Sequence, residues 1–212
     1  MKFLFASDSF KGTITSEQSI RLLREAAQKV FPCCETYGVP VADGGEGTVE
    51  AVIDATGGMM RKVLVSGPLW EKTEASYGVF HENCAIIEMA AASGLPMVPA
   101  ELRNPLNTTT YGTGELIRDA LDAGYRKLAI AIGGSATNDG GMGAMIALGV
   151  RFLDADGREL SGIGVDLEKV VDIDTSGLHP AVKDATFTVM CDVTNPLTGL
   201  DGATYTFGKQ KG

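Results

Sequence analysis

The residues best suited to chemistry lie in a glycine-rich segment, residues 133–141, between an apolar run and a segment with a helical pattern. Glycines there permit positive φ angles, and the start of a helix presents unpaired N–H groups that hold anions. No Lys or Arg lies between Lys127 and Arg151, so the sequence predicts an anion site built from backbone groups and hydroxyls. A glycine-rich βα turn with a capping Asn or Asp is the alternative. The candidate binding residues are Gly134, Ser135, Thr137, Asn138, Asp139 and Gly140.

Two further polar loops each follow a predicted strand and precede a predicted helix. In a parallel sheet both loops fall at the carboxyl ends of their strands, where open α/β sheets place their ligands. We expect two carboxylates and one lysine to converge there, although aspartates in such loops can also merely cap helices. The candidate residues are Asp8, Ser9 and Lys11 in the first loop, and Asp43, Gly44 and Gly45 in the second.

Two more segments offer polar groups beside predicted elements. Asp192 follows the last predicted strand, where it could hold Mg²⁺ or accept a hydroxyl proton, although Asn195-Pro196 can also be an ordinary turn. Thr109 and Thr110 offer hydroxyls just before a helix, and helix capping accounts for part of that pattern.

Composition excludes several classes of protein. A net charge of −9 over 212 residues argues against binding nucleic acid or an anionic membrane, because both need a basic face. No apolar run has the length of a membrane span and the N-terminal run is too short for a signal peptide, so we expect a cytoplasmic protein. Neither the P-loop motif nor the G-x-G-x-x-G fingerprint of dinucleotide-binding folds is present.

The elements that position these loops begin with two βα units. An apolar run at 2–6 precedes a helix predicted over 16–30, whose start matches a capping box from Thr15 to Gln18. A second strand is predicted at 36–41 and a second helix at 48–55, ended by Gly57-Gly58. Two consecutive βα units predict a parallel sheet.

A different pattern follows, with short alternating runs that predict an antiparallel strip and a second domain. These runs are 62–66, 74–80 and 85–89. Beyond them the sequence predicts helices at 113–123 and 143–148, strands at 127–132 and 186–191, and a hairpin between 150–153 and 159–160.

Taken in order, these motifs resemble the bacterial glycerate kinase family over the whole chain. They are D-S-F-K-G at 8–12, V-A-D-G-G-E-G-T at 41–48, E-M-A-A-A-S-G-L at 88–95, T-T-T-Y-G-T-G-E-L-I at 108–117, G-G-S-A-T-N-D-G-G at 133–141 and C-D-V-T-N-P-L at 191–197. Two departures stand out. The family's G-P-L-G ends in Trp70 here, and Lys209 stands where the family's F-G-P-Q-K-G has proline.

The resemblance implies a fold of two α/β domains with the site between them. Residues 1–62 would open a Rossmann-like domain with a parallel sheet, incomplete here, and residues 63–212 would form most of a mixed-sheet α/β domain. Family members continue well past Gly212, so we expect this chain to be truncated, to lack part of its cleft and to be inactive alone.

The resemblance also implies a reaction, in which ATP and D-glycerate give ADP and a phosphoglycerate with Mg²⁺ on the nucleotide phosphates. Lys11 would contact a phosphate or carboxylate, and Asp43 or Asp192 would act as base or Mg²⁺ ligand. The remaining candidates would position substrate and phosphate, and a homodimer is possible. A non-catalytic module for small anions and a kinase of another small hydroxy acid are the alternatives.

Overall fold

The first part of the chain is a βαβα unit with a two-stranded parallel sheet. The computed structural model describes residues 1–10, 13–42 and 44–212. Pairing runs from Lys2 opposite Glu35 to Ser7 opposite Pro40, which confirms the predicted parallel arrangement. The elements are β1 (Lys2–Ser7), α1 (Ser16–Val30), β2 (Glu35–Pro40) and α2 (Thr48–Thr56).

Local signals set the ends of both helices. The Thr15 hydroxyl accepts from the Gln18 backbone N–H at 3.2 Å, and the Gln18 side chain accepts from the Thr15 N–H at 3.1 Å. This capping box satisfies two N–H groups that the helix itself cannot pair, so α1 has the predicted bounds. Helix α2 is ended by Gly57, the residue that follows it, whose φ of 67° lies in the left-handed region that favours glycine.

The rest of the chain is organised around a mixed five-stranded sheet. Its strand order is β3-β4-β5-β6-β9, with antiparallel pairing from β3 to β5 and parallel pairing from β5 to β9. The predicted antiparallel strip is therefore confirmed. Its strands are β3 (Met59–Ser66), β4 (Lys72–Phe80), β5 (Cys84–Glu88), β6 (Lys127–Ala131) and β9 (Thr186–Met190), while β7 (Arg151–Leu153) and β8 (Asp172–Asp174) form a separate antiparallel pair.

Helices cover this sheet and connect its strands. They are α3 (Ala90–Ser93), α4 (Tyr111–Asp122), α5 (Met142–Ala147) and α6 (Ala203–Phe207), with 3₁₀ turns at Leu95–Met97, Ala100–Leu102, Gly164–Lys169, Pro180–Asp184 and Gly208–Lys211. None of the helices in the described ranges is long and apolar enough to cross a membrane.

The core lies between α4 and the sheet, where Leu116, Leu121, Ile87 and Leu128 are almost completely buried. Tyr77 is buried among them, and its hydroxyl donates to the Asp119 carboxylate at 2.7 Å. The hydrogen bond matters because a buried hydroxyl without a partner would destabilise the fold.

The expected hairpin at 150–160 forms, and β7 has a second strand partner that the sequence did not indicate. Backbone N–H groups of Asp156 and Arg158 donate to the Asp154 carboxylate, so the predicted turn forms. Beyond the turn, Leu153 forms an antiparallel bridge to Glu159 and the Leu160 N–H donates to the Phe152 carbonyl at 2.8 Å, while β7 also pairs along its length with β8. The turn depends on neighbouring residues, whereas the second strand partner comes from a segment about twenty residues away. The proposed domain division stays a prediction, and its boundary at residue 62 falls inside β3.

Trp70 occupies a backbone conformation that suits glycine. It stands in the turn between β3 and β4 with a φ of 70°, and its N–H donates to the Gly67 carbonyl at 3.1 Å. Its ring centroid lies 5.2 Å from that of Tyr111. The left-handed conformation accounts for the family's glycine here, and the contact between the rings offsets part of the strain.

We predict that Trp70→Gly is more stable than Trp70→Ala by about 1 kcal/mol, because both variants lose the ring contact but only alanine keeps the left-handed strain. Urea unfolding of the two variants measures this difference. At the neighbouring Leu69 the same pair of substitutions should show the usual order, with alanine more stable than glycine. An alanine variant at position 70 as stable as the glycine variant would contradict the prediction.

Candidate active site

Three strand-end loops meet at one edge of the structure. The Gly133 N–H, after β6, donates to the carbonyl of Gly44, after β2, at 3.1 Å. A Cβ on Gly133 would lie 2.8 Å from the Gly45 Cα, so only glycine permits this approach. A Cβ on Gly44 would lie 3.1 Å from the carbonyl oxygen of Met190, the last residue of β9. The sequence predicted a different meeting, of the loops after β1 and β2 with Asp8, Lys11 and Asp43. Because Lys11 and Asp43 lie outside the described residues, that convergence stays a prediction.

A cleft of about 590 Å³ lies beside the loops after β1 and β2, and none of its described lining residues comes from the loops after β6 and β9. Its described lining includes Ser9 and the acidic side chains of Glu46, Glu50 and Glu88. Asp8 adjoins the cleft, and its carboxylate accepts from the Ser9 backbone N–H at 2.6 Å. Two predicted catalytic residues, Lys11 and Asp43, lie outside the described residues.

Glu88 is a buried acid at the end of β5 that sequence reasoning did not single out. It is 9% exposed, and its carboxylate accepts from the Val49 backbone N–H, in the first turn of α2, at 2.8 Å. Burial raises the pKa of Glu88 to about 7, with further contributions from the charges of Glu50 and Glu46. An acid directly after the apolar residues 85–87 was the signal that could have identified it.

Asp139 joins the beginnings of two helices. One carboxylate oxygen accepts from the Thr110 N–H and hydroxyl, at 2.8 and 2.7 Å, and from the Gly143 N–H at 3.2 Å. The other accepts from the Gly141 N–H at 3.1 Å. Asp139 is 1% exposed, so its carboxylate faces the protein interior and stabilises the starts of α4 and α5.

The two threonines predicted to bind substrate also make internal hydrogen bonds. The Thr110 hydroxyl donates to Asp139 and accepts from the Ala144 N–H at 3.0 Å. The Thr109 hydroxyl donates to the Gly162 carbonyl at 2.7 Å and accepts from the Tyr111 N–H. Both are buried and position the helix starts, while their contact with a ligand stays a prediction.

The other residues of the glycine-rich loop, 133–141, differ in accessibility. Gly134 and Gly140 are exposed and have φ angles of 73° and 62°. Thr137 is buried, whereas Ser135 and Asn138 are partly accessible, and the Asn138 amide donates to the Thr204 hydroxyl at 3.0 Å. A ligand could therefore reach the backbone at the two glycines and the Ser135 hydroxyl.

The expectation that this loop lacks a basic side chain is wrong. The Lys211 ammonium donates to the Ser135 hydroxyl and to the Thr137 carbonyl, both at 2.7 Å. Lys211 is 76 residues from Ser135, so the composition around the loop could not reveal it.

Asp192, the predicted base or metal ligand, is exposed and lies two residues after the end of β9. Within the described ranges it makes no ion pair, and no group of three or more His, Cys, Asp or Glu residues could hold a metal. Magnesium bound to a nucleotide commonly needs only one or two protein carboxylates together with phosphate oxygens. An exposed acid at this edge suits that kind of coordination.

Comparison with known proteins identifies close relatives. The model of the "Glycerate kinase family" matches residues 3–212. The chain is 51% identical to "Glycerate 2-kinase" of Escherichia coli (strain K12) and 50% identical to "Glycerate kinase" of Bacillus subtilis (strain 168), in each case over 100% of this chain and 56% of the relative. A solved structure of a candidate glycerate kinase 2 from Salmonella typhimurium LT2 has a TM-score of 0.86 and 48% identity, over 100% of this chain and 57% of that one. The chain thus spans little more than half the length of these relatives.

We predict that Asp139→Asn lowers the free energy of unfolding by about 1–3 kcal/mol, because the amide nitrogen must face a backbone N–H that the carboxylate now satisfies. Chemical denaturation measures the loss. Asp192→Asn makes the same change at an exposed position and should alter stability by less than about 0.5 kcal/mol. Equal effects at the two positions would show that the Asp139 hydrogen bonds contribute nothing to stability.

The pKa of Glu88 predicts a pH-dependent stability. Since the pKa rises from 4.5 to about 7 on folding, the folded state binds the proton more tightly, and stability should fall as pH increases through this window. Glu88→Gln mimics the protonated acid, so its stability relative to the parent should increase by about 2–3 kcal/mol between these pH values.

Urea unfolding from pH 4.5 to 8 measures the difference. Glu25→Gln, at an exposed position of α1, is the matched control and should show a difference that is independent of pH. If the difference in stability between Glu88→Gln and the parent were also independent of pH, the charge of Glu88 would not destabilise the folded protein.

Proposed function

This chain belongs to the glycerate kinase family, and we propose that the protein containing it transfers the γ-phosphoryl group of ATP to D-glycerate, giving ADP and a phosphoglycerate. The family match over residues 3–212 is the observation on which the proposal depends. The meeting of the loops after β2, β6 and β9 supports it, as does the cleft beside the β1 and β2 loops, because α/β sheets bind their ligands at the carboxyl ends of their strands.

Phosphoryl transfer demands mainly that a protein position its substrates and stabilise developing negative charge. The glycine-rich loop provides exposed backbone at Gly134 and Gly140 and the accessible hydroxyl of Ser135. Asp139 and Thr110 hold that loop against two helix starts, which limits its movement when a ligand binds. In this proposal Ser135, Thr137 and Asn138 position the substrate or the transferred phosphoryl group.

We assign Mg²⁺ to the nucleotide phosphates, with Asp192 as the described carboxylate best placed to hold it. The ion would neutralise phosphate charge when bound. The acceptor hydroxyl must also lose its proton, and Asp43 and Asp192 are the proposed bases. Asp8 and Ser9, which adjoin the cleft beside Glu46, are proposed to contact the substrate, as are Gly44, Gly45 and Lys11.

We predict that this sequence, joined to the part of the Escherichia coli relative that it does not match, releases ADP with D-glycerate, ATP and Mg²⁺. For D-glycerate, kcat/KM should exceed that for glycolate or lactate by about tenfold or more, because both acids lack the second hydroxyl of glycerate and a site built to pair a hydroxyl rejects acids that lack it. A coupled ADP assay with each acid measures this, and the 212-residue chain alone should show little turnover.

The outcomes distinguish the candidate functions. Faster turnover of another acid would make the protein a kinase of that acid. Saturable ATP or glycerate binding without ADP release from the joined chain would favour a small-anion binding module. In either case the proposal of glycerate phosphorylation would be wrong.

A further inference from the structure

Lys211 is a basic side chain that the glycine-rich loop receives from a distant part of the sequence. It stands in the 3₁₀ turn Gly208–Lys211, and its ammonium donates to the Ser135 hydroxyl and the Thr137 carbonyl, both at 2.7 Å. An ammonium has three N–H donors. These two hydrogen bonds, the ones it makes to described residues, leave one donor for another acceptor.

The charge of Lys211 has no counter-ion among the described residues. The residue is partly buried, and burial lowers the pKa of its ammonium, while the charge of Asp139 opposes that shift. No described carboxylate lies within 4.0 Å of the ammonium, and the four hydrogen bonds of Asp139 come from other groups. Both acceptors of Lys211 are neutral oxygens. Removing a charge from water without a paired opposite charge costs several kcal/mol, so buried charges are generally paired.

The surroundings of Lys211 belong to the edge where the strand-end loops meet. Ser135 is two residues from Gly133, whose N–H donates to Gly44. Between them Gly134 is exposed and in a left-handed conformation. The hydrogen bond from Asn138 to Thr204 holds the segment before Lys211 on the same loop. The ammonium is therefore fixed beside accessible backbone and a hydroxyl.

We propose that Lys211, Ser135 and the backbone at Gly134 form a binding site for an anionic oxygen group of a small ligand, either a phosphoryl group or a carboxylate. The choice of these two chemistries rests on the proposed function, in which both substrates carry such groups. The anion supplies the opposite charge that the ammonium lacks, accepts its remaining N–H, and accepts a hydrogen bond from the Ser135 hydroxyl.

A purely structural role is the competing explanation, in which Lys211 only fastens its turn to the loop. Two neutral acceptors could be satisfied by an uncharged donor, without the cost of a partly buried charge. A fastening role also predicts that removal of the side chain changes stability and leaves ligand affinity unaltered. The two explanations therefore differ in a measurable quantity.

The test measures binding, by calorimetry on the joined chain described above, for ATP, D-glycerate and inorganic phosphate separately. Lys211→Met approximately keeps the length of the side chain and removes the charge. It should lower the affinity for the ligand whose anionic group binds there by about tenfold or more. Lys211→Arg should restore part of the affinity. Lys209→Met removes the same charge from an exposed position of the same turn and should leave all three affinities unchanged.

The pattern across ligands identifies the anion. Loss confined to ATP and phosphate assigns the site to a phosphoryl group, and loss confined to D-glycerate assigns it to the carboxylate. Affinities within about twofold of the parent for every ligand would overturn the site, as would equal losses in Lys211→Met and Lys209→Met.

A second measurement does not depend on a folded variant. Competitive acetylation of the parent protein, read by mass spectrometry, should show Lys211 protected by ATP, phosphate or D-glycerate and Lys209 unprotected. Equal labelling of Lys211 with and without each ligand would overturn the proposal even if Lys211→Met failed to fold. If a ligand protects Lys211 from acetylation but the joined chain releases no ADP, the proposed kinase function is wrong and the anion site is still supported.

Discussion

The carboxylate of Asp139 accepts hydrogen bonds from the beginnings of two helices at once, and the geometry of the candidate site depends on it. Its partners are Thr110 at the start of α4 and Gly141 and Gly143 at the start of α5. Ten residues, 132–141, separate the end of β6 from the start of α5, so a fixed point inside this segment restricts its path. With Asp139 held, Gly134 and Ser135 lie on the accessible side and Thr137 lies on the buried side.

Close backbone approach is the second constraint on this edge. Gly133 contacts Gly44 and Gly45, and any side chain there would collide with the neighbouring loop. Glu88 completes the arrangement by accepting from the Val49 N–H in the first turn of the helix that the Gly44–Gly45 loop precedes. The raised pKa of Glu88 reflects the fact that its charged carboxylate is unfavourable at this buried position. The charge of Glu88 therefore lowers the stability of the folded protein while its carboxylate places the helix start, a compromise that is common where residues serve function.

Much of this could be predicted from the sequence where the signal is local. The capping box at Thr15 set the start of α1, and the glycine at position 57 set the end of α2. The parallel pairing of β1 with β2 was also predicted, whereas the meeting of the β2 loop with the loops after β6 and β9, which belong to another sheet, was not. What could not be predicted depends on contacts between distant residues: the pairing of β7 with β8, the hydrogen bond that Glu88 accepts from the Val49 N–H, and the position of Lys211. Asp139 lies between these cases, since its place in the loop was evident but its inward direction depends on Thr110.

The charges around the site bear on how a protein with a negative net charge could bind anionic substrates. The net charge of −9 opposes their approach, and Glu46, Glu50 and Glu88 make the described wall of the cleft acidic. The ammonium of Lys211, on the glycine-rich loop, has no paired carboxylate among the described residues. If phosphoryl and carboxylate groups bind beside Lys211, their attraction to this ammonium acts against the repulsion from the acidic side chains of the cleft. A fixed positive charge at short range can outweigh an unfavourable net charge, because Coulomb energy falls with distance and exposed distant charges are screened by salt.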